Sequence, residues 1–352
     1  MKKDVLVVFG GASFEYKVSL ESAYYVIKSI NKDKYNIHLL GIKKNGNCYL
    51  YEGDVNLIKD DRWFDDETCY KVFLPMAKDA NGINYIKEDK VYFKHIDVVF
   101  PVLHGKNGED GTIQGLLEFT GIPFVGCGVL SSSLCMDKYR AHKLVEDFGC
   151  KVPSSILIDD IKDKDKTLNF IDDVGFPVFV KPLKSGSSFG ITKVISEERL
   201  YKALKEAFRY DDKVVIEENI DGFEVGVAIL GNKKIVTGLI DEIETGGKFF
   251  DYNEKYTLEK SLIHLPARIN NELEKEVLAL AEKIYKILDC KDFARVDMFI
   301  DKNNNIYFNE INTIPGFTLH SRYPNMLKGV GINFDAIVNT LIEMGGGDET
   351  IY

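Results

Sequence analysis

Residues 293–312 read FARVDMFIDKNNNIYFNEIN. Phe293 to Ile300 and Ile306 to Ile311 have the length and the β-branched or aromatic content of strands, and the polar stretch Asp301 to Asn305 turns between them. So short a turn makes the two strands antiparallel neighbours. Alternate residues of a strand share a face, so Arg295 points with Asp297, and Glu310 points with Asn312. One face of the hairpin then carries two carboxylates, an amide oxygen and a guanidinium. With no cysteine nearby, that donor set suits Mg²⁺ or Mn²⁺ held partly by the phosphates of a substrate. A solvated polar face on an edge hairpin has the same pattern, and the pattern alone leaves both readings open.

The chain around this hairpin is long, with 352 residues, 45% hydrophobic and 28% charged. At about 150 residues per domain this implies two or three domains with a sizeable core, and it excludes a disordered chain. The formal charge of −10 makes duplex nucleic acid a poor partner. No apolar run approaches about 18 residues, so no membrane span is expected. The run Val5 to Phe9 is cut short by Gly10-Gly11, and no small-residue cleavage site follows it. The expected location is the cytoplasm. Cys48, Cys69, Cys127, Cys135, Cys150 and Cys290 form no CxxC pair, which fits reduced, mostly buried thiols without a zinc site.

Working outward, an α/β pattern repeats. Asp4 to Phe9 is a strand that breaks at Gly10-Gly11, and a helical pattern runs from Ser19 through Ala23, Val26, Ile27 and Ile30. Tyr35 to Ile42 and Ile96 to Leu103 read as buried strands, although Pro101 argues against a standard central strand. The second run ends in the glycine-rich loop His104 to Gly111, before a helix from Gln114 to Thr120. A second unit starts near Cys127, with helices over Lys138 to Phe148 and Glu198 to Phe208. Its strands are Pro177 to Lys181, Ile191 to Ile195 and Val214 to Glu217. The third unit opens with strands Glu224 to Leu230 and Lys234 to Ile240, followed by a polar stretch from Glu242 to Ser261. A loop that long inside a compact domain is more often functional than idle. An amphipathic helix through Leu273, Val277, Ala281 and Ile284 precedes the hairpin, and a last helix spans Phe334 to Met344.

Three further features are candidates for chemistry, each with a plainer reading when taken alone: an ordinary flexible turn, a solvated loop glutamate and a satisfied structural histidine. Gly186-Ser187-Ser188-Phe189-Gly190 lies between two strands, so it is no Walker A loop, but its N–H groups and hydroxyls suit an anion-binding nest. Lys138 and Lys181 offer counter-charge there. Gly10-Gly11 with Glu15 lacks the GxGxxG dinucleotide fingerprint, and a carboxylate at that turn suits an ammonium group rather than a phosphate. His104 stands at a strand's C-terminal end, where crevices form. A GxSxG elbow is missing, so a serine hydrolase is not expected.

Taken together, FGGASFEYKVSL, VLHGKNGEDGTIQG, CMDKYRAHK, VKPLKSGSSFG, FFDYNEKY, FARVDMF and NEINTIPGFTLHSRYPNM span nearly the whole chain. In these blocks the chain resembles the D-alanine–D-alanine ligase family of the ATP-grasp superfamily. The resemblance implies a three-domain ATP-grasp α/β fold. Its parts would be an N-terminal parallel α/β substrate domain over 1–126, a central domain over 127–216 and a C-terminal metal-binding domain over 217–352. ATP would lie between the last two.

The resemblance implies roles residue by residue. Asp297, Glu310 and Asn312 match the Mg²⁺ ligands. Lys138, Lys181 and Ser188 match groups on the ATP phosphates, as does Lys255 in a mobile loop. Glu217 matches the adenine site and Glu224 the ribose site. Glu15, Ser187 and Tyr256 match a hydrogen-bonded trio joining the first amino-acid site to a lid. Arg295 and the Gly316 N–H match an oxyanion hole. His104 would lie beside the first D-alanine, and Ser321 would hold the second substrate's carboxylate.

The implied chemistry has two steps: phosphorylation of the D-alanine carboxylate by ATP, then attack on the acylphosphate by the second amine. Arg322 replaces the leucine of the standard ligases. That feature is similar to the D-alanine–D-serine ligases of vancomycin resistance, and the wider match is nearest the VanG type. A guanidinium there suits a hydroxyl, and the alternative is a carboxylate clamp or surface ion pair with no part in substrate choice. Lys17 and Leu319 also depart from the common pattern, with effects confined to the shape of the substrate site. A homodimer is implied. The other readings are an ordinary D-alanine–D-alanine ligase and, in a different class, a non-catalytic nucleotide-binding sensor.

Overall fold

The computed structural model describes residues 2–65, 67–75, 77, 79–186, 189–244 and 262–347. The apolar run after Lys3 becomes β1 (Lys3–Gly10), and α1 (Tyr16–Ser29) follows the glycine turn. Leu20, Ala23, Val26 and Ile27 share a face of α1 and join Val5, Val7 and Phe9 in one core. β2 (Tyr35–Ile42) pairs parallel with β1 on one side. Residues 48–95 carry no element in the sequence reading, yet they add four strands. These are β3 (Cys48–Tyr51), β4 (Cys69–Phe73), β5 (Gly82–Lys87) and β6 (Lys90–His95), with α2 (Val55–Lys59) between the first two. Each is short and partly exposed, so none shows the continuous apolar run of a buried strand.

β7 (Val98–Val102) pairs parallel with β1 on its other side, giving the order β6-β5-β4-β3-β2-β1-β7. The expected parallel sheet is therefore parallel only at β2-β1-β7, and its other pairings are antiparallel. Pro101 is accommodated because β7 is the outermost strand, where a residue without an N–H is tolerated.

Helices α3 (Thr112–Thr120), α4 (Val129–Met136) and α5 (Lys138–Asp147) lead to a second, antiparallel sheet. It contains β8 (Ser155–Ile158), β9 (Val178–Pro182), β10 (Thr192–Val194) and β11 (Val214–Glu218), in the order β10-β9-β11-β8. α6 (Lys164–Val174) and α7 (Glu197–Ala207) bury Phe170, Ile171, Leu200 and Leu204 against it. A division of the chain at 216/217 falls inside β11.

The third sheet holds β12 (Gly222–Gly231), β13 (Ile235–Thr237), β14 (Asp241–Glu244) and β15 (Leu262–His264). After α8 (Asn271–Ile287) it gains β16 (Phe293–Asp301) and β17 (Ile306–Asn312), in the order β15-β14-β12-β16-β17. The expected strand Lys234 to Ile240 is shorter. The register ends at Thr237 with the Gly238 N–H still donating to the Ala228 carbonyl at 2.9 Å, and the Leu239 N–H then turns to the Met326 carbonyl at 3.0 Å. The chain ends in α9 (Arg322–Gly329) and α10 (Phe334–Gly345).

Two of the hydrophobic cores ignore chain order. Cys135, Ala141, Val145 and Cys150 pack with α8 and the third sheet. Tyr323, Met326, Ile337 and Leu341, at the far end of the chain, pack with β1, α1 and β7. The loop 313–321 is thereby pulled between the first and third sheets. Among the described residues no helix is long and apolar enough to cross a membrane.

Asp292 fastens the 125–128 segment to the third sheet. Its carboxylate accepts the Gly126 N–H and the Asn232 side-chain amide, each at 2.8 Å, and burial raises its pKa. Asp292→Ala would strand a buried N–H, and we expect about 2–3 kcal/mol lower stability in urea denaturation.

Candidate active site

Strand register builds the site. Asp241 on β14 lies opposite Gly226 on β12, Gly226 opposite Asp297 on β16, and Asp297 opposite Glu310 on β17. In the next row Ala228, Arg295 and Asn312 are aligned. Phe308 and Glu310 are two residues apart and would share a face in a regular strand. A register shift between Asp297 and Met298 makes Asn309 an extra residue. Phe308 therefore enters the core while Glu310 joins Asp297. His142 Nε2 donates to the carbonyl of that extra residue at 2.6 Å. Its Nδ1 is buried with no partner among the described residues, and burial lowers the pKa of the ring.

Asp297 is buried between two guanidiniums. Arg295 donates to it through Nε at 2.8 Å and Nη2 at 2.6 Å, and Asn312 Nδ2 adds a bond at 3.0 Å. Arg322 Nη2 lies 3.4 Å from the same carboxylate. Arg322 is itself gripped by Asp241, with Nε and Nη2 each at 2.7 Å, while its Nη1 donates to Glu224 at 3.1 Å. Burial would lower the Arg322 pKa, but Asp241, Asp297 and Glu224 outweigh it and raise the pKa well above its usual value. Gly226 makes room for this cluster: a Cβ there would fall 2.4 Å from Arg322 Nη2 and 2.9 Å from Asp297 Oδ1.

Lys181 and Glu217 form a buried ion pair. Burial would raise the Glu217 pKa, yet Lys181, His142 and Lys138 together hold it below its ordinary value. Lys138 Nζ donates to the Ser185 carbonyl at 2.6 Å and lies 3.9 Å from Glu310. Glu15 is buried where two glycine loops meet. A Cβ at Gly105 would come within 2.1 Å of its carboxylate, and one at Gly186 within 2.7 Å.

Both ring nitrogens of His104 are engaged within the protein. Nδ1 faces the Ile314 carbonyl at 2.9 Å and so carries the proton, which leaves Nε2 to accept from the Ser22 hydroxyl at 3.0 Å. Burial lowers the His104 pKa to about 4, so the ring is neutral. Ser321 Oγ accepts from the Thr318 N–H at 3.0 Å, and it lies 3.0 Å from where a Gly316 Cβ would stand.

One cavity collects most of the expected residues. Glu15, His104 and Lys138 line it with Arg295, Glu310 and Asn312. Gly316, Ser321 and Arg322 also line it. Lys181, Glu217, Glu224 and Asp297 stand outside that lining. Ser187, Ser188, Lys255 and Tyr256 lie outside the described residues.

The structure adds residues that the sequence did not single out: Asp241, Gly226, His142 and Glu109. Glu109 stands in a loop already marked as polar and glycine-rich, whereas sheet register alone brings Asp241 to Arg322. Among the described residues no cluster of three or more His, Cys, Asp or Glu side chains forms a metal cage. The donor set still fits a hard cation shared with phosphates. Asp297 and Glu310 are adjacent, and because the Asn312 amide nitrogen donates to Asp297, its oxygen is the atom left for a cation.

Comparison with known proteins identifies the family. The family models "D-ala D-ala ligase N-terminus" and "D-ala D-ala ligase C-terminus" match residues 4–127 and 144–343. A D-alanine–D-alanine ligase of Thermoanaerobacter sp. is 43% identical, over 97% of this chain and 96% of its own. A vancomycin C-type resistance protein of Enterococcus gallinarum is 40% identical over 99% of both chains. Among solved structures, the VanG D-Ala:D-Ser ligase from Enterococcus faecalis superposes with a TM-score of 0.91 at 47% identity, covering 98% of this chain and 100% of its own. The fold is that of an ATP-grasp enzyme. The chain belongs to the D-Ala–D-Ala ligase family and is an ATP-dependent ligase.

Glu109 marks the site's electrostatics. Burial and the Glu15 charge push its pKa up to about 8. The folded state thus keeps a proton that the unfolded state loses near pH 4.5, and stability falls as pH rises from 4.5 to 8. His104 acts oppositely, but only between about 4 and 6.5. Between pH 6.5 and 8 the contribution of Glu109 to that loss is about 1–2 kcal/mol. Glu109→Gln should flatten that part of a denaturation-against-pH profile.

Proposed function

We propose that this ligase joins D-alanine to D-serine through a D-alanyl phosphate, supplying a peptidoglycan precursor that confers vancomycin resistance. The carrying observation is Arg322. It lines the cavity, with its plane fixed by Asp241 and its Nη1 donating to Glu224. A buried, pre-oriented guanidinium at the second-substrate site favours a substrate with a hydroxyl over one with a methyl group. The 47% identity to a D-Ala:D-Ser ligase supports the same reading.

In this reading Glu15 receives the ammonium group of the first D-alanine, with His104 beside it. The substrate carboxylate attacks the γ-phosphate of ATP and ADP leaves, while Lys138, Lys181 and Lys255 balance charge on the phosphates and Ser188 donates a hydrogen bond to them. Glu217 and Glu224 serve the adenine and ribose. Asp297, Glu310 and Asn312 would hold Mg²⁺ or Mn²⁺, which supplies further charge neutralisation at the phosphoryl group. Ser321 takes the carboxylate of the second amino acid and Arg322 its hydroxyl. Attack of the second amine on the acylphosphate places negative charge on the carbonyl oxygen. Arg295 and the Gly316 N–H are the donors for it, and such preorganised donors are usually the largest single catalytic contribution. The resemblance implies that Glu15, Ser187 and Tyr256 would form a hydrogen-bonded trio joining the first amino-acid site to a lid. The reading includes a cytoplasmic homodimer.

Dipeptide formation from D-alanine plus D-serine, compared with D-alanine alone, tests the assignment. We expect the mixed dipeptide to predominate by roughly tenfold or more in kcat/KM, and Arg322→Leu to shift the preference toward D-alanine by about 10–200-fold. Dominant D-alanyl-D-alanine in the parent protein would instead favour the ordinary ligase, a reading supported by the 43% identical relative. Chelation with EDTA should abolish phosphate release, and added Mg²⁺ or Mn²⁺ should restore it. No phosphate release with any D-amino acid would leave only a nucleotide-binding role.

A further inference from the structure

The Gly316 N–H lies on the loop after β17, but its neighbours are held by side chains from the first 110 residues. Ile314 is held at both ends of its backbone. Its N–H donates to Glu109 Oε1 at 2.9 Å, and its carbonyl accepts from His104 Nδ1 at 2.9 Å. Three residues on, the Phe317 N–H donates to Ser22 Oγ at 3.3 Å. The same Ser22 hydroxyl donates to His104 Nε2, so one continuous chain of bonds runs from Phe317 through Ser22 and His104 to Ile314. Ser22, His104 and Phe317 are buried, which makes any broken link costly. Pro315 stiffens the span between the two anchors by fixing its own φ.

The anchors stand on a braced support. The other oxygen of Glu109 accepts the Gly105 N–H at 2.9 Å, and Gln114 Nε2 donates to the Gly108 carbonyl at 2.7 Å. This is the loop that lies against Glu15, where the first amino acid would bind.

We propose that Ser22, His104 and Glu109 are positioning residues that set the Gly316 N–H by anchoring the peptide on either side of it. The proposal rests on the reading of Gly316 as an oxyanion donor. The element that grips the first substrate then also aims the donor that stabilises its reacting carbonyl. A displacement of about 1 Å at such a donor costs on the order of 100-fold in rate.

The test uses the full chain with ATP, MgCl₂, D-alanine and D-serine. It combines steady-state kinetics with hydrogen exchange at the amides of Ile314, Gly316 and Phe317. Glu109→Ala should lower kcat for dipeptide formation by about 100-fold, leave the KM for ATP within about twofold, and speed exchange at Ile314. Glu109→Gln retains an acceptor oxygen and should recover about tenfold of that loss. Ser22→Ala removes a single oxygen and should speed exchange at Phe317 with a fall in kcat of about tenfold. Should Glu109→Ala not fold, Ser22→Ala and Glu109→Gln carry the test. Faster exchange with an unchanged kcat, or equal losses in Glu109→Gln and Glu109→Ala, overturns the proposal alone. A parent protein that forms no dipeptide overturns the ligase reading, and the proposal with it.

Discussion

The extra residue Asn309 in β17 sets the register of the hairpin on which the candidate site is built. Because Asn309 bulges, Phe308 fills the core while Glu310, two residues later, faces the cavity beside Asp297. A strand's side chains alternate strictly, so a regular β17 would put both on one face. Either the core would lose a phenylalanine or the site would lose a carboxylate. His142, reaching from α5 to the bulged carbonyl, is the side chain that holds this register in place.

Around that register the site is built from buried charge. Asp241, Asp297 and Glu224 surround Arg322, while Arg295 covers the other side of Asp297. Desolvating so many charges is tolerable only because each is paired with good geometry. Gly226 is part of that geometry, since any side chain at its position would occupy the space of the Arg322 guanidinium. Acid and base are thus held in fixed, dry orientations, the condition under which dipoles and charges act most strongly on a reacting phosphate or carbonyl. The chain's net charge of −10 says nothing of this local balance.

Most strands and helices were legible in the sequence. The amphipathic stripe through Leu273, Val277, Ala281 and Ile284 became α8, and the hairpin around Asp301 to Asn305 became β16 and β17. Residues 48–95 were not legible, because short strands with mixed exposure carry no periodic apolar signal. Of the site, Arg295, Asp297, Glu310 and Asn312 emerged from alternation within one hairpin. Asp241 did not, for it meets Arg322 across a sheet whose order interleaves distant segments. His104 and Glu109 were in view as members of a polar loop, yet their partner Ile314 lies some two hundred residues away.

The sequence by itself determined which chemistry is available: hard oxygen donors on a hairpin, lysines beside a glycine-serine loop, and motif blocks in the order of one ligase family. These are properties of residue type and short spacing, which local rules of alternation and helical pitch can carry. Only the tertiary structure decided which charges neutralise one another and which backbone holds the Gly316 N–H. Those outcomes depend on the return of α9 and α10 to the first sheet, where burial of Tyr323, Met326 and Leu341 draws the intervening loop against Ser22, His104 and Glu109. Hydrophobic periodicity states that a face will be buried. It does not state against what.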